Sequence, residues 1–196
     1  MVKSREYALS AKQKFNNMFK SIEAKFKEDI LKKRKDLFGV SNILSCPKIE
    51  KVVINVRVKQ GGNIEEEAIL NMISKISGQK AIATKARLSI SNFKIREGQI
   101  VGAKATLRNR MMIDFLDKLV NVTLPRVRDF SGLDKKAFDG KGNYTIGFSE
   151  YNSFPEVAGD DVSRLHGIEI TIVTTADNNE QGFTLLKELG FPFKKK

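Results

Sequence analysis

The sequence predicts an α+β fold, an antiparallel-rich sheet with helices packed on one face, carrying a long basic loop and an N-terminal amphipathic helical extension. Two observations support this. In Val52–Lys59 the residues Val52, Ile54, Val56 and Val58 alternate with Val53, Asn55, Arg57 and Lys59, and in Val101–Arg108 the residues Val101, Ala103, Ala105 and Leu107 alternate with Gly102, Lys104, Thr106 and Arg108. A period of two gives each strand one apolar and one polar face. Around these strands lie stretches whose apolar residues recur at helical spacing. The resulting order is helix, strand, helix, strands, helix, strands, helix, with no internal repeat and no regular αβ alternation.

Taken in order, Tyr7, Ala11, Phe15, Met18, Phe19, Ile22, Phe26 and Ile30 predict one amphipathic helix or a pair within Lys3–Lys35, ended by Gly39 and the segment up to Pro47. The first strand covers about 50–59, and Gly61-Gly62 turns the chain. Asn63 and Glu66 suit the start of a helix whose stripe is Ile69, Met72, Ile73 and Ile76, with Gly78 as its stop. A short strand near 80–85 leads into Ala86–Gln99, read as a long basic loop or hairpin end, and then into the strand 100–108. Asn109 is the predicted cap of a helix carrying Met112, Phe115, Leu116, Leu119 and Val120 and ended by Pro125. Residues 126–144 read as an exposed connection. Tyr144–Tyr151 and Ile168–Thr175 supply further strands, and Asp177 with Glu180 is expected to cap a last helix ending at Gly190.

At 196 residues and 41% apolar the chain can bury one good core. Its single Cys46 and single His166 provide neither an internal disulfide nor a metal cage, so no cofactor or metal is expected and a reducing compartment, the cytoplasm, fits. No signal-peptide run follows Met1, and no window approaches the roughly 18 apolar residues of a membrane span. The net charge of +12 is unevenly placed: Lys75, Lys80, Lys85, Arg87, Lys94, Arg96, Lys104, Arg108 and Arg110 stand against Glu97 alone. Residues 111–193 are mildly acidic instead. One basic face favours one polyanionic partner, and because it lacks the large apolar side chains that insert into a bilayer surface, a membrane is not that partner.

If the two alternating strands lie in one sheet, Asn55, Arg57, Lys59, Lys104, Thr106 and Arg108 share an exposed face. Cations mixed with neutral hydrogen-bonding groups suit phosphate and sugar contacts of a nucleic acid. Phe93, alone among Lys, Arg and Asn, is either a side chain that stacks on bases or an anchor holding the loop to the core. Catalysis has no convincing constellation. Gly140-Lys-Gly-Asn lacks a phosphate-loop pattern, His166 is isolated, and of the acids that could be offered as metal ligands for a nuclease, Asp160-Asp161 and Asp114/Asp117, the second pair is at the spacing of a solvated helix face.

The ordered segments Pro47-Lys-Ile-Glu-Lys-Val-Val-Ile-Asn55, Ser77-Gly-Gln-Lys80, Thr84-Lys-Ala-Arg87, Phe93-Lys-Ile-Arg-Glu-Gly98, Gly102–Arg108, Leu124–Leu133, Phe138–Tyr144, Phe154-Pro-Glu156 and Ile170–Ala176 resemble the bacterial-type ribosomal protein L-five family, which binds 5S ribosomal RNA. The resemblance covers roughly 15–193, which it implies is a single RNA-binding domain, with 1–14 a basic extension and 194–196 a basic tail. It implies a non-enzymatic structural constituent of the large ribosomal subunit, in the central protuberance. The implied partners are 5S rRNA, peptidyl-site tRNA, large-subunit rRNA with neighbouring 5S-binding ribosomal proteins, and a small-subunit head protein. Carried over by motif, Asn55, Gln79, Phe93, Thr106 and Arg108 fall on RNA-contact positions. Lys94, Arg96 and Gln99 fall in the tRNA-facing loop, and the stretch holding Gly132, Lys135, Lys136, Gly140, Lys141 and Asn143 faces the small-subunit head. The chain departs from the family at Val56–Lys59, Leu88-Ser89, Asn92, Ile100-Val101, Asn109 and His166. A free-standing RNA chaperone would need the same basic face without a fixed partner, and a nuclease would use the acidic second half.

Overall fold

A computed structural model of the chain describes residues 21–57, 63–149, 151–157 and 167–194. The expectations for residues 1–20, for Val58 and Lys59, for Gly61-Gly62, for Asp160-Asp161 and His166, and for the last two residues fall outside that set. So do the side chains of Asn63 and Glu66.

Helix α1 (22–38) starts at Ser21, whose extended backbone, with ψ of 154°, cannot continue a helix. Its first turn is capped twice. Ser21 Oγ accepts from Ala24 N, and Asp117 Oδ1, from a distant helix, accepts from Ile22 N at 2.8 Å. A wide π turn at Phe26–Ile30 interrupts α1 before it ends at Gly39 in the left-handed conformation. Strand β1 (Ile49–Arg57) follows, and burial pushes the Cys46 thiol just before it above its ordinary pKa. Helix α2 (Asn63–Ser77) buries Ile69, Met72, Ile73 and Ile76, the stripe expected from spacing. Strand β2 (Ile82–Lys85) is shorter than expected, and β3 (Ile100–Leu107) runs back against it.

Helix α3 (109–126) corrects two expectations. Asn109 does not cap it. It adopts φ of 50°, and Arg108, extended and without a side-chain cap, occupies the cap position. Pro125 does not stop it either: the helix widens to a π turn at Leu119–Thr123 and continues through Leu124–Arg126. Proline has no N–H and crowds the carbonyl one turn back, and this widened turn lies immediately before it. Strands β4 (Tyr144–Phe148) and β5 (Ile168–Thr174) precede α4 (Asn179–Leu189). The α4 cap is Asn178, one residue beyond the expected Asp177. Asn178 Oδ1 accepts from Gln181 N while Gln181 Oε1 accepts from Asp177 N, a reciprocal pair of bonds one residue further along than the expected 177/180 pair.

The five strands form one antiparallel sheet in the order β2-β3-β1-β5-β4. Its inner face, built from Val52, Ile54, Val56, Ala103, Ala105, Leu107, Ile168, Ile170, Ile172 and Ile146, is covered by the helices. Helix α2 lies on β3 and β1, α3 lies on β1, and α1 packs against α3 and α4. Each fully buried Ile or Leu contributes about 1.5 to 3 kcal/mol, so this face fixes the register, since a slip of one residue would turn it outward.

The stretch 126–143 is largely exposed, as its composition suggests, but it is tied to the fold at a few points. Leu133 is buried, its N–H donates to Pro192 O, and its carbonyl accepts from Lys194 N. The Phe138, Tyr144, Phe183 and Phe193 rings cluster behind it, with centroids 4.6 Å apart for Phe138 and Tyr144 and 4.8 Å for Phe183 and Phe193. Gly142 and Gly182 touch through their backbones: a Cβ on Gly182 would fall 2.5 Å from Gly142 O.

Candidate nucleic-acid interface

Among the described residues no helix covers the second face of the sheet, and strand pairing arranges that face in rows. One row reads Ile82, Lys104, Asn55, Glu169 and Gly147 across β2, β3, β1, β5 and β4. Its neighbours read Thr84, Gly102, Arg57 on one side and Thr106, Val53, Thr171, Thr145 on the other. The alternation in β1 and β3 thus brings Asn55, Arg57, Lys104 and Thr106 together, with Asn55, Arg57 and Lys104 exposed and Thr106 half-buried. At Gly102 a Cβ would meet Val56 O at 2.8 Å and Thr84 Oγ1 at 2.9 Å, so the surface between Arg57 and Thr84 stays flat.

Two acids that the sequence reading did not connect to this face bear on it. Asn55 Nδ2 donates to Glu169 Oε2 at 3.2 Å, and Arg108, just past the end of β3, lies 3.3 Å from Glu50 Oε1. Glu169 was visible as an outward position between Ile168 and Ile170. Its partner was not, because alternation says which way a residue faces and not which strand lies beside it. Gln79 sits apart, exposed in the turn between α2 and β2, where Ser77 Oγ both accepts its N–H and donates to its carbonyl.

Residues 86–99 form an ordered hairpin end. Ala86 and Gln99 pair their backbones, Gly98 N donates to Ala86 O, and Ile90 and Ile95 exchange two backbone bonds around a short 3-10 turn at Ser91–Phe93. Ser89 Oγ accepts from Glu97 N, and Gln99 Oε1 accepts from Arg96 N at 3.1 Å, so the Gln99 side chain holds the turn. Lys94 stands at the tip with φ of 52°, and Arg96 is exposed beside it. Phe93 is 63% exposed, which sets aside the core-anchor reading. Leu88 and Ile90 are exposed with it, giving the basic tip an apolar component.

The third group lies around the start of β4. Gly140 N and Gly142 N both donate to Asn179 Oδ1, and Asn143 Oδ1 accepts from Thr174 N. Asp139 accepts from Asn143 Nδ2 at 2.7 Å and from the backbone of Lys141 and Asn143. The Asn143 side chain is the largest of the influences that hold the Asp139 carboxyl below the usual carboxylate range. The backbone of Gly132 lies against Lys194, and Lys135 Nζ sits 4.3 Å from the Phe183 ring centroid. Lys136 and Lys141 are exposed. A cleft of about 710 Å³ opens between Arg126–Asp134 and β4 next to this group, away from the basic half of the sheet.

Of the paired acids of α3, Asp114 is solvated as expected, whereas Asp117 is half-buried and holds a helix start. Asp117 caps α1, and burial raises its pKa against the opposing pull of the Ile22 N–H, while Asp114 lies 3.9 Å from Arg110. Among the described residues, no helix is long and apolar enough to cross a membrane.

Comparison with known proteins agrees with this architecture. A family model described as ribosomal protein L5 matches residues 42–96, and one described as the C-terminus of the same ribosomal family matches residues 100–193. The large ribosomal subunit protein uL5 of Halothermothrix orenii is 49% identical over 173 residues, 86% of this chain and 95% of its own. The uL5 proteins of Limosilactobacillus fermentum and Desulfatibacillum aliphaticivorans are each 48% identical over 177 residues, 89% of this chain and 98% and 99% of theirs.

Proposed function

Because the chain belongs to the ribosomal protein L5 family, we propose that its outer sheet face is the surface that binds 5S rRNA in the central protuberance of the large subunit. Membership itself makes the chain a non-enzymatic structural constituent of the large ribosomal subunit, located on the cytoplasmic ribosome among rRNA and other ribosomal proteins. The observation that supports the finer reading is the composition of the uncovered face, where Lys104 and Arg57 flank Asn55 and the hydroxyl of Thr106 lies one row away. Cations on flat, rigid strands contact phosphates, and the neutral groups between them contact sugars and base edges. Arg108 extends this surface at its margin, Gln79 contacts the RNA from its separate turn between α2 and β2, and Lys59 is included on its sequence alternation with Asn55 and Arg57 alone.

The hairpin end at 86–99 stands beyond the sheet with Phe93, Lys94 and Arg96 exposed at its tip. Lys94, Arg96 and Gln99 belong to the part that reaches peptidyl-site tRNA, while Phe93 stacks on RNA. The segment from Gly132 to Asn143, with Lys135, Lys136 and Lys141, faces a protein of the small-subunit head. Neighbouring 5S-binding proteins complete the assembly.

The test is direct binding of the purified chain to 5S rRNA, with footprinting of the bound RNA. Arg57→Ala and Lys104→Ala together are expected to weaken binding by about 2 to 4 kcal/mol, from two charge-assisted contacts. Unchanged affinity in a protein with wild-type circular dichroism would remove the outer face from the binding surface.

A further inference from the structure

Glu169 is an acid in the central row of a face proposed to bind a polyanion, and its bond to Asn55 gives it a use. A carboxylate only accepts hydrogen bonds, so the 3.2 Å contact requires the Asn55 amide to turn its NH2 group toward β5. This settles the amide orientation by chemistry, since the opposite rotamer would set two acceptors against each other. Asn55 Oδ1, the other arm of the same amide, is thereby turned away from the Glu169 carboxylate, and both residues are exposed, so Asn55 Oδ1 and Glu169 Oε1 are acceptors on either side of this bond. Beyond Glu169 the row ends at Gly147, where a Cβ would find nothing within 4 Å, so the carboxylate can be approached from the β4 side.

We propose that Asn55 and Glu169 form an acceptor pair that takes hydrogen-bond donors of the bound RNA, ribose 2′-hydroxyls or guanine amino groups, with Glu169 also positioning the Asn55 amide. This rests on the reading that RNA lies on the outer face. Lys104 attracts phosphates on the β3 side and Arg57 at the end of β1, whereas the carboxylate repels them from the start of β5. The RNA therefore turns a sugar or base edge, not its phosphate track, toward the β1–β5 seam. Of the two donors, the 2′-hydroxyl is what distinguishes RNA from DNA at such a site.

The experiment measures binding of the purified full chain to transcribed 5S rRNA across a salt series, using Glu169→Ala, Glu169→Gln, Asn55→Ala and Lys104→Ala, with circular dichroism as the folding control. Simple electrostatics says that removing an acid from a basic face strengthens binding to RNA. The acceptor pair gives the opposite sign. Glu169→Ala and Asn55→Ala should each weaken binding roughly five- to tenfold, the scale of one or two hydrogen bonds, with the salt slope unchanged because no phosphate contact is lost. Glu169→Gln should weaken it as well, since its NH2 group meets an RNA donor. Lys104→Ala should weaken binding and make the slope shallower. Interference mapping identifies the donor: positions sensitive to 2′-deoxy substitution in the wild type and insensitive in Glu169→Ala mark a ribose, and inosine-sensitive positions that behave so mark a guanine. If Glu169→Ala binds as tightly as the wild type or more tightly while Lys104→Ala weakens binding, Glu169 only repels and the proposal is overturned. If neither Lys104→Ala nor Glu169→Ala alters binding, the outer face is not the RNA surface and the acceptor pair falls with it.

Discussion

Arg108 leaves β3 beside Glu50, and both side chains are about half exposed, 53% and 47%. An ion pair that open to solvent contributes little to stability. Arg108→Ala should therefore weaken 5S rRNA binding by about 1 to 3 kcal/mol while changing the unfolding free energy by under about 1 kcal/mol, measured by filter binding and denaturant titration. Unfolding of the variant, or unchanged RNA affinity, would take Arg108 out of the site. Tyr144 behaves in the opposite way. It is 1% exposed and its hydroxyl donates to Asp134 O at 2.8 Å; burial first, and the Asp134 charge second, push its pKa up to about 12. The unfolded chain releases that proton near the ordinary value of 10, so the stability it contributes is full below pH 10 and is lost as the pH rises toward 12. The loss reaches about 2 to 3 kcal/mol, and the stability of Tyr144→Phe should fall less over the same window. At this scale the sequence showed which way Asn55, Lys104 and Thr106 face. It did not show that Glu169 and Glu50 stand beside Asn55 and Arg108, because those contacts join residues more than fifty positions apart.

The strands and helices were legible because each carries its own period, and the places where the reading slipped are places where the backbone departs from that period. Asn109 looked like a cap and instead adopts φ of 50°, while the cap of α4 moved from Asp177 to Asn178, where Gln181 could complete the box. The hairpin end at 86–99 was too polar for its order to be seen, since bonds such as Ile90 to Ile95 are made by backbone atoms that every residue has. Those bonds lie within the hairpin, which gives it independence from the core. Replacing Lys94–Gln99 with a short Gly/Ser link should leave the unfolding midpoint close to wild type and 5S binding within a few fold. Ribosomes carrying the variant should retain peptidyl-site tRNA less well. Loss of 5S binding would assign the loop to the RNA platform, and undiminished tRNA retention would remove its role there.

Across the whole molecule the net charge of +12 is distributed unevenly, and the sheet presents Lys104 and Arg57 on the face that the helices leave open. If that face and its margins neutralise about five phosphates, the logarithm of the binding constant should fall with the logarithm of salt concentration at a slope near about −4. A slope shallower than about −1 would mean that the basic residues do not touch the RNA backbone. The clasp around 132–143 has a different consequence, one of timing. Leu133 bonds to Pro192 and Lys194, and Gly140 and Gly142 bond to Asn179, so this segment is held by residues about forty to sixty positions further along the chain. Synthesis runs from the amino end, and the partners of Leu133 leave the exit tunnel well after Leu133 itself. The surface proposed to meet the small subunit thus sets last in each new copy, after β1, β2 and β3 have emerged to pair, and a chain interrupted before Asn179 would carry the basic half of the sheet without it.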